Sequence, residues 1–422
     1  MIPVMRQSWP LFIGMFMLMV GNGIQGTLLG VRGGLEGFST DQMSIVMAGY
    51  FGGFLLGSQL VPGLIRNVGH VRVFAALGST ASACLILFPL LPYTAVWIAL
   101  RVLLGFCFCG VYIVAESWLN STTRNDMRGR ALSLYIFVQM AGIVAAQALF
   151  GAGDAGDFSL FVIVSVLVSM AFAPVLLSAV PVPPFESAKP MSLRRLWNAS
   201  PLGFVGLFLL GGVYAAMFGM VGVWGSLAGL GQGQIAAFAA TTYLGAAICQ
   251  MPVGWLSDRM DRRRVIAAVA AIGAVACLVA TLRPEGTGFT FILGAAFVMG
   301  GMANPLYALL LAYTNDYLET EEMAAASARL LFVNGIGAIG GPILLGRVLE
   351  WIGPRGFFAF VGALLGAVAL YALWRMTRRA SADSDGGYVP LAPSTVTPVT
   401  ITTAVEEYAD AAEAPEEAER AA

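Results

Sequence analysis

Twelve stretches of this 422-residue chain are each apolar for about 20 residues, and no other feature constrains the fold as tightly. An α-helix rises ~1.5 Å per residue, so about 20 residues cross the ~30 Å hydrocarbon core of a bilayer. The stretches lie at approximately 8–31, 42–64, 72–91, 95–119, 130–150, 158–180, 201–223, 234–255, 265–282, 288–313, 323–349 and 355–376. In hydrocarbon every backbone polar group must be satisfied within the chain, so segments of this length cross as helices. The fold class expected is an all-α polytopic membrane protein with twelve transmembrane helices. Composition agrees, with 58% hydrophobic and 11% charged residues where soluble domains carry about 25% charged. The 51 glycines suit helices whose backbones approach closely. Cys84, Cys107, Cys109, Cys249 and Cys277 all fall in apolar runs without disulfide or zinc spacing, and read as small packing residues. The first span follows a single arginine, Arg6, and lacks a small-residue cleavage site, so it reads as an anchor rather than a cleaved signal.

Positive charge sets the orientation. With the N-terminus cytoplasmic, the inner loops and helix ends carry seventeen Lys and Arg, whereas the outer ones carry only Arg32, Arg283, Arg347 and Arg355. Both termini are therefore expected in the cytoplasm, with the chain in a bacterial inner membrane. The expected organisation is an N-terminal six-helix bundle (1–180), a Pro-rich charged linker (181–200), a C-terminal six-helix bundle (201–378) and an acidic tail (379–422). Residues 383–422 hold nine acids and one arginine. Rich in Ala, Thr, Pro and Glu, the tail is expected to be disordered, to bury no core and to be dispensable.

The halves repeat. A shift of 192 residues places GVRGGLEGF (30–38) on GVWGSLAGL (222–230), and RNVGHVRVFAA (66–76) on DRMDRRRVIAA (258–268). With a shift of 195, Gly105, Tyr112, Asn120, Gly142 and Gly151 fall on Gly300, Tyr307, Asn315, Gly337 and Gly346. A parallel repeat of two six-helix halves is the layout of the major facilitator superfamily, whose substrate site lies near the bilayer midplane between the halves. GWLSDRMDRRR (254–264) resembles that superfamily's inner-loop signature, departing at Asp261 where glycine is usual. The matching N-half stretch, PGLIRNVGHVR (62–72), keeps Gly69 and Arg72 but has Arg66 where the aspartate belongs. RVLLGFCFCG (101–110) resembles the helix-4 signature, and the fifth span lacks the Gly-Pro pattern of drug/proton antiporters although the eleventh has GIGAIGGP (335–342). LLGVRGGLEGFS, GYFGGFLLGS, VYIVAESWLN and RGRALSLY further resemble the YcaD-like branch. The resemblance covers about 8–378 and implies alternating access by a secondary transporter, with the proton gradient as energy source and Arg101 in the coupling.

Arg101 lies about two turns inside the fourth span, where a charge costs at least ~2.5–3.5 kcal/mol on insertion scales. It faces protein or water, either to bind an anionic group or tune a proton site, or it snorkels outward or hydrogen-bonds backbone carbonyls. At 100° per residue, Arg101, Gly105, Phe108 and Tyr112 share a stripe that faces either the cavity or a packed neighbour. Glu116 is the one carboxylate within the spans clear of the loops. Lying about 22 Å from Arg101 by helix rise, it either carries protons or pairs with Arg72 or the arginines of the 4–5 loop.

Asn22 and Gln25 share a face of the first span, and the repeat maps them onto Tyr214 and Met217. Asn304 precedes Pro305, a mid-span proline that frees a carbonyl and kinks the helix, and Tyr307 is the repeat partner of Tyr112. Gln139, Asn334, Tyr243 and Gln250 add further polar groups. Each of these residues serves equally as helix-to-helix glue or as substrate contact. Together they describe an apolar, aromatic cavity with amides, hydroxyls and one fixed positive charge, lined by spans 1, 4, 7 and 10. At the inner gate a crossed latch is expected: Asp258 with Arg124, Arg128 and Arg130, and Arg66 with Glu319, Glu321 and Glu322, with Arg72 and Arg262 nearby. Ordinary solvated loop charge, worth ~0–1 kcal/mol per pair, is the alternative. His70 reads as a solvated loop residue.

No P-loop, H-E-x-x-H or Cys/His cluster is present, which argues against ATP-driven transport, enzyme chemistry and a bound cofactor or metal. The partners expected are a small organic solute, protons and the lipid bilayer, with no nucleic acid, for a chain acting as a monomer. A lipid or lysolipid translocase and a non-transporting receptor of the same fold are the competing readings.

Overall fold

The computed structural model describes residues 2–122, 128–176, 191–284, 286–378, 388–393, 395–406 and 408; of residues 2–8, 121, 122, 128–130, 175, 176 and 320 it describes the backbone alone. The described residues form helices, with no strand among them. The first half contains α1 (Ile2–Leu35), α2 (Thr40–Val68), α3 (His70–Leu90), α4 (Thr94–Thr122), α5 (Arg128–Ala152) and α6 (Ser159–Leu176). A short linker helix, α7 (Leu193–Ala199), leads to α8 (Pro201–Gly219), α9 (Val221–Leu227), α10 (Gln232–Ser257), α11 (Arg262–Thr281), α12 (Phe289–Ala303), α13 (Leu306–Asn315), α14 (Thr320–Ile352) and α15 (Gly356–Met376). Ten segments among the described residues are long and apolar enough to cross a membrane. The last of them, Glu321–Met376, comprises both α14 and α15, and Ser159–Pro174 is a shorter apolar helix.

The sequence repeat is a repeat of contacts, written in glycine. A Cβ at Gly105 would stand 2.0 Å from Tyr50 O, and one at its partner Gly300 would stand 2.1 Å from Thr242 O. Gly53 meets Val102 O at 1.8 Å and Gly245 meets Phe297 O at 2.1 Å, so α2 crosses α4 as α10 crosses α12. Gly142 and Gly337 likewise press on Phe16 O and Phe208 O, at 2.9 and 1.9 Å. Without a solvent-driven force between helices in lipid, such backbone proximity supplies the dispersion contact that holds them together. The helix ends repeat as well. Gly37 and Gly229 take the left-handed conformation at φ 78° and 70°, and Gln42 and Gln234 then accept from the Ser39 and Gly231 N–H at 2.9 and 3.0 Å.

The two halves meet along α2 with α14, α5 with α10 and α1 with α9. Their closest contacts cluster at the end of the bundle away from the chain termini. Gly222 and Gly30 pack backbone to backbone, Ser44 packs on Gly346, and the Gln232 amide donates to Gly153 O at 3.0 Å. Arg347 pairs with Asp41 across the same seam at 3.3 Å. Large apolar side chains such as Phe137, Met170, Ile248, Met251, Leu344 and Leu370 point outward and are exposed, as a lipid-facing surface requires.

Three expectations change, while the tenth span breaks at Asn304–Pro305 as the proline predicts. The seventh span is two helices, α8 and α9, broken at Gly219–Met220 where Gly26 and Gly222 bring α1 against the chain. His70 is buried at the start of α3 rather than solvated. The tail differs most. Leu391, Val396, Thr397 and Ile401 are at most 2% exposed, so the part of it over 388–408 does bury apolar surface, against the composition-based expectation. Cys84, Cys107, Cys109 and Cys277 are buried and unpaired, in keeping with packing.

Candidate functional site

A cavity lies between the halves, with about 920 Å³ unfilled by protein atoms when the part open to solvent is included. Its polar wall comes from the first half. Arg101 Nη1 donates to Gln25 Oε1 at 2.7 Å, Gln25 Nε2 donates to Asn22 Oδ1 at 2.5 Å, and the Tyr50 hydroxyl donates to the same oxygen at 3.0 Å. The guanidinium lies 4.8 Å from the Tyr50 ring centroid, within cation–π range. Sequence dictates this chain of donors: Asn22 and Gln25 are three residues apart on α1, and Gly105 lets α2 and α4 close until Tyr50 and Arg101 meet.

Arg101 is 2% exposed, and its Nε has no hydrogen-bond partner. No carboxylate pairs with it among the described residues, so the cavity wall carries an uncompensated buried cation. Such a charge is costly in low dielectric and calls for an anion or water on its open side.

The opposite wall is aromatic. Tyr214, Phe218 and Tyr243 stack with centroids 6.0 and 5.0 Å apart and interplanar angles of 9° and 14°. Phe51 and Phe54 of α2 close the side, and Asn334, Leu331 and Ala338 of α14 complete the lining. Such a surface favours a flat apolar body, while the network across from it favours negative charge or acceptor oxygens.

Among the residues proposed from sequence for the cavity, Asn22, Gln25, Arg101 and Tyr214 come together there. Tyr112, Met217, Asn304 and Tyr307 do not. They are at most 2% exposed and pack one layer behind, where the Tyr112 hydroxyl meets Met19 Sδ at 3.9 Å and the Tyr214 hydroxyl donates to Ala303 O at 3.0 Å. The stripe on α4 therefore faces α2, and only its Arg101 end reaches the cavity. Span 10 contributes no lining residue; spans 2, 8 and 11 do. Tyr50 had gone unassigned, yet it stands 193 residues before Tyr243, within one residue of the repeat shift.

Glu116 has no arginine partner among the described residues. It accepts from Tyr135 Oη at 3.3 Å, from Thr400 N at 3.2 Å and from the Thr397 hydroxyl. Arg72, the salt-bridge partner anticipated for it, is exposed. Among the described residues, the Arg66 arm of the crossed latch is not formed in this conformation. Arg66 and Glu321 are exposed, and Glu322 pairs instead with Arg195 of α7 at 3.0 Å, which holds the guanidinium above its ordinary pKa through that hydrogen bond. Asp258 accepts from Tyr388 N at 2.8 Å, and Arg262 forms a buried pair with Asp316 inside its own half. Described residues of the 388–408 segment bond to both halves on this side, Leu391 O accepting from Gln250 and the Thr395 hydroxyl donating to Gln139. The Arg130 side chain, with those of Arg124 and Arg128, lies outside the described residues.

The chain matches the sequence profile described as Major Facilitator Superfamily over residues 11–245 and 229–405. It belongs to that superfamily. The protein named uncharacterized MFS-type transporter YcaD of Escherichia fergusonii is 24% identical over 377 residues, which cover 88% of this chain and 96% of that one. YfkF of Bacillus subtilis, of the same description, is 26% identical over 330 residues, covering 76% and 83%. The chain is thus a membrane transporter of the YcaD-like branch. In fold it is similar to the nucleoside transporter NupG, with a TM-score of 0.68 at 15% identity over 88% of this chain and 98% of that one.

Proposed function

We propose that this facilitator carries a small organic anion with a flat or apolar body across the bacterial inner membrane by alternating access. The observation that carries the reading is Arg101, buried in the cavity wall with a free Nε and no acid beside it among the described residues, facing a stack of three rings. Counting α8–α9 and α12–α13 as one crossing each, and α6, α14 and α15 separately, gives twelve crossings in two bundles. Both termini then lie on the arginine-rich side, which the distribution of positive charge makes cytoplasmic. The close seam at the other end supports reading the bundles as inward-facing, with residues of the 388–408 segment in the inner opening.

Proton coupling is part of the proposal. Glu116, on the same helix as Arg101, is a buried carboxyl whose donors among the described residues are hydroxyls and an amide, the setting a proton carrier needs. In the opposite state the cytoplasmic face closes, and there Arg66 meets Glu321 and Glu322. The charge swap Arg66→Glu with Glu321→Arg and Glu322→Arg restores transport lost in Arg66→Glu alone if that contact forms.

The test is uptake of benzoate, phenylacetate and acetate into proteoliposomes, with and without an imposed pH gradient. Uptake of the aromatic acids driven by the gradient, with acetate weaker, supports the reading. Uptake indifferent to both charge and ring would overturn it.

A further inference from the structure

The segment 388–408 runs through the opening between the halves and is held by both. On the second half, Tyr388 N donates to Asp258 Oδ1 at 2.8 Å, its ring packs over Gly254, and Gln250 Nε2 donates to Leu391 O at 2.9 Å. Pro393 and Val396 then form the floor of the central cavity. On the first half, the Thr395 hydroxyl donates to Gln139 Oε1 at 2.9 Å, Thr397 and Thr400 donate to Glu116, and Asn120 Nδ2 donates to Thr403 Oγ1 at 2.5 Å. A helical stretch over 398–406 leads back to the second half, where the Tyr408 hydroxyl donates to Asp316 Oδ1 at 2.5 Å beside Arg262. Burial pushes that phenol up to about 12, so it stays a donor.

These contacts are those of a fitted segment rather than a chain end lying on a surface. Four threonines, Thr395, Thr397, Thr400 and Thr403, are each at most 5% exposed, and each makes a hydrogen bond. Leu391, Val396, Ile401 and Val405 fill the space between with apolar surface. Burying so many hydroxyls is costly unless each finds a partner. The threonines find theirs on the first bundle or within the segment, while Tyr388, Leu391 and Tyr408 bond to the second, so the segment ties together two bodies that must move apart and together during transport.

We infer that residues 388–408 are an autoinhibitory plug: they close the cytoplasmic route to the cavity, and solute moves only after they leave. The inference rests on the transporter reading for its consequence, but the position of the plug does not. With the far seam shut and this route filled, the conformation described is closed on both sides. Glu116 is engaged by the plug, so its release frees the same carboxyl assigned to proton coupling.

Two measurements on the full-length protein decide it. In the wild type, hydrogen exchange at the amides of residues 395–406 is slowed at least a hundredfold relative to an unstructured chain. Exchange at the unstructured rate would overturn the plug. In a Gln139→Cys background, Ile401→Asp with Val405→Asp places two charges among the buried tail contacts without touching the bundles. Membrane-impermeant maleimide applied from the cytoplasmic face then labels the introduced thiol at least tenfold faster than with the native tail. Equal labelling rates overturn the inference, since a segment that does not block the route cannot protect it. Benzoate-induced thermal shift in the ejected variant, with and without Arg101→Gln, reads the cavity separately, so failure of the anion site is distinguishable from failure of the plug.

Discussion

Replacing Arg101 by glutamine separates a binding residue from a structural one, because the two roles predict opposite relations between stability and affinity. In the folded protein the change removes the donation to Gln25, a charge-assisted bond of ~1.5–3 kcal/mol, and the contact with the Tyr50 ring, worth up to ~2 kcal/mol when desolvated. Against this, it removes a buried cation whose placement in the span costs about 2.5–3.5 kcal/mol and which no carboxylate compensates. The terms offset each other, so stability should change by no more than about 2 kcal/mol. Binding has no such offset. An anion that loses its buried cationic partner loses about 2–5 kcal/mol, or roughly thirty- to several-thousand-fold in Kd at about 1.4 kcal/mol per decade. The assay is calorimetric titration of purified protein with benzoate, beside thermal unfolding of both forms without ligand. Benzoate affinity retained within threefold would refute the argument, and so would an Arg101→Gln protein that fails to fold while Arg101→Lys folds.

The glycine crossings give a sharper stability test. Gly105→Val and Gly300→Val each drive a side chain into a carbonyl of the neighbouring helix and should abolish the monodisperse peak in size-exclusion chromatography, whereas Gly63→Ala, with nothing within 4 Å of its Cβ, should leave it unchanged. Gly37→Ala and Gly229→Ala meet no steric neighbour but force a left-handed residue, at ~1–2 kcal/mol each, read as equal falls in melting temperature at the two repeat-related sites. Asp316→Ala takes the carboxylate from Arg262, whose side chain is 2% exposed and keeps Tyr408 as a partner, and should destabilise the protein measurably in thermal unfolding, by up to about 3–5 kcal/mol. Arg195→Ala, which removes a partner from the exposed pair with Glu322, should fall within about 1 kcal/mol of the wild type by the same measurement.

How much of this was legible in the sequence depends on the range over which each signal acts. The spans, the repeat and the Pro305 break are local or periodic, and each left a pattern that can be counted. The glycine crossings showed as matching positions, such as Gly105 with Gly300, but their partners did not, because a backbone carbonyl on another helix has no sequence mark. The α4 stripe shows the limit of helical geometry. Periodicity groups Arg101, Gly105, Phe108 and Tyr112 on one face, yet what that face meets is set by where α2 crosses. The tail was misread for a different reason. Averaged over 379–422, its acids dominate, but Ile401, Ala404, Val405 and Tyr408 follow helical spacing, and Glu406 lies on the exposed side. A shorter window separates the buried part from the charged end.

A symmetric scaffold here builds an asymmetric site. The repeat holds where helices cross, since Gly53 and Gly105 act as Gly245 and Gly300 do. It fails where the cavity opens: Asn22 and Gln25 answer to Tyr214 and Met217, and Arg101, shifted by 195 residues, answers to Ala296. All the fixed charge and the amide chain therefore belong to the first half, and the ring stack belongs mainly to the second. A ligand held between them is gripped by its charged end on one bundle and by its flat body on the other. In the alternating access proposed above, rocking the bundles apart loosens one grip before the other, and Arg101, anchored through Gln25 and Tyr50 within a single half, moves with its own bundle. Each grip is fixed within its own bundle, so the stronger contact limits release, and a buried cation with its anion outweighs ring stacking. Arg101→Gln should accordingly speed dissociation of benzoate more than Phe218→Ala does, and stopped-flow fluorescence that finds the reverse order would show the grips to be assigned the wrong way round.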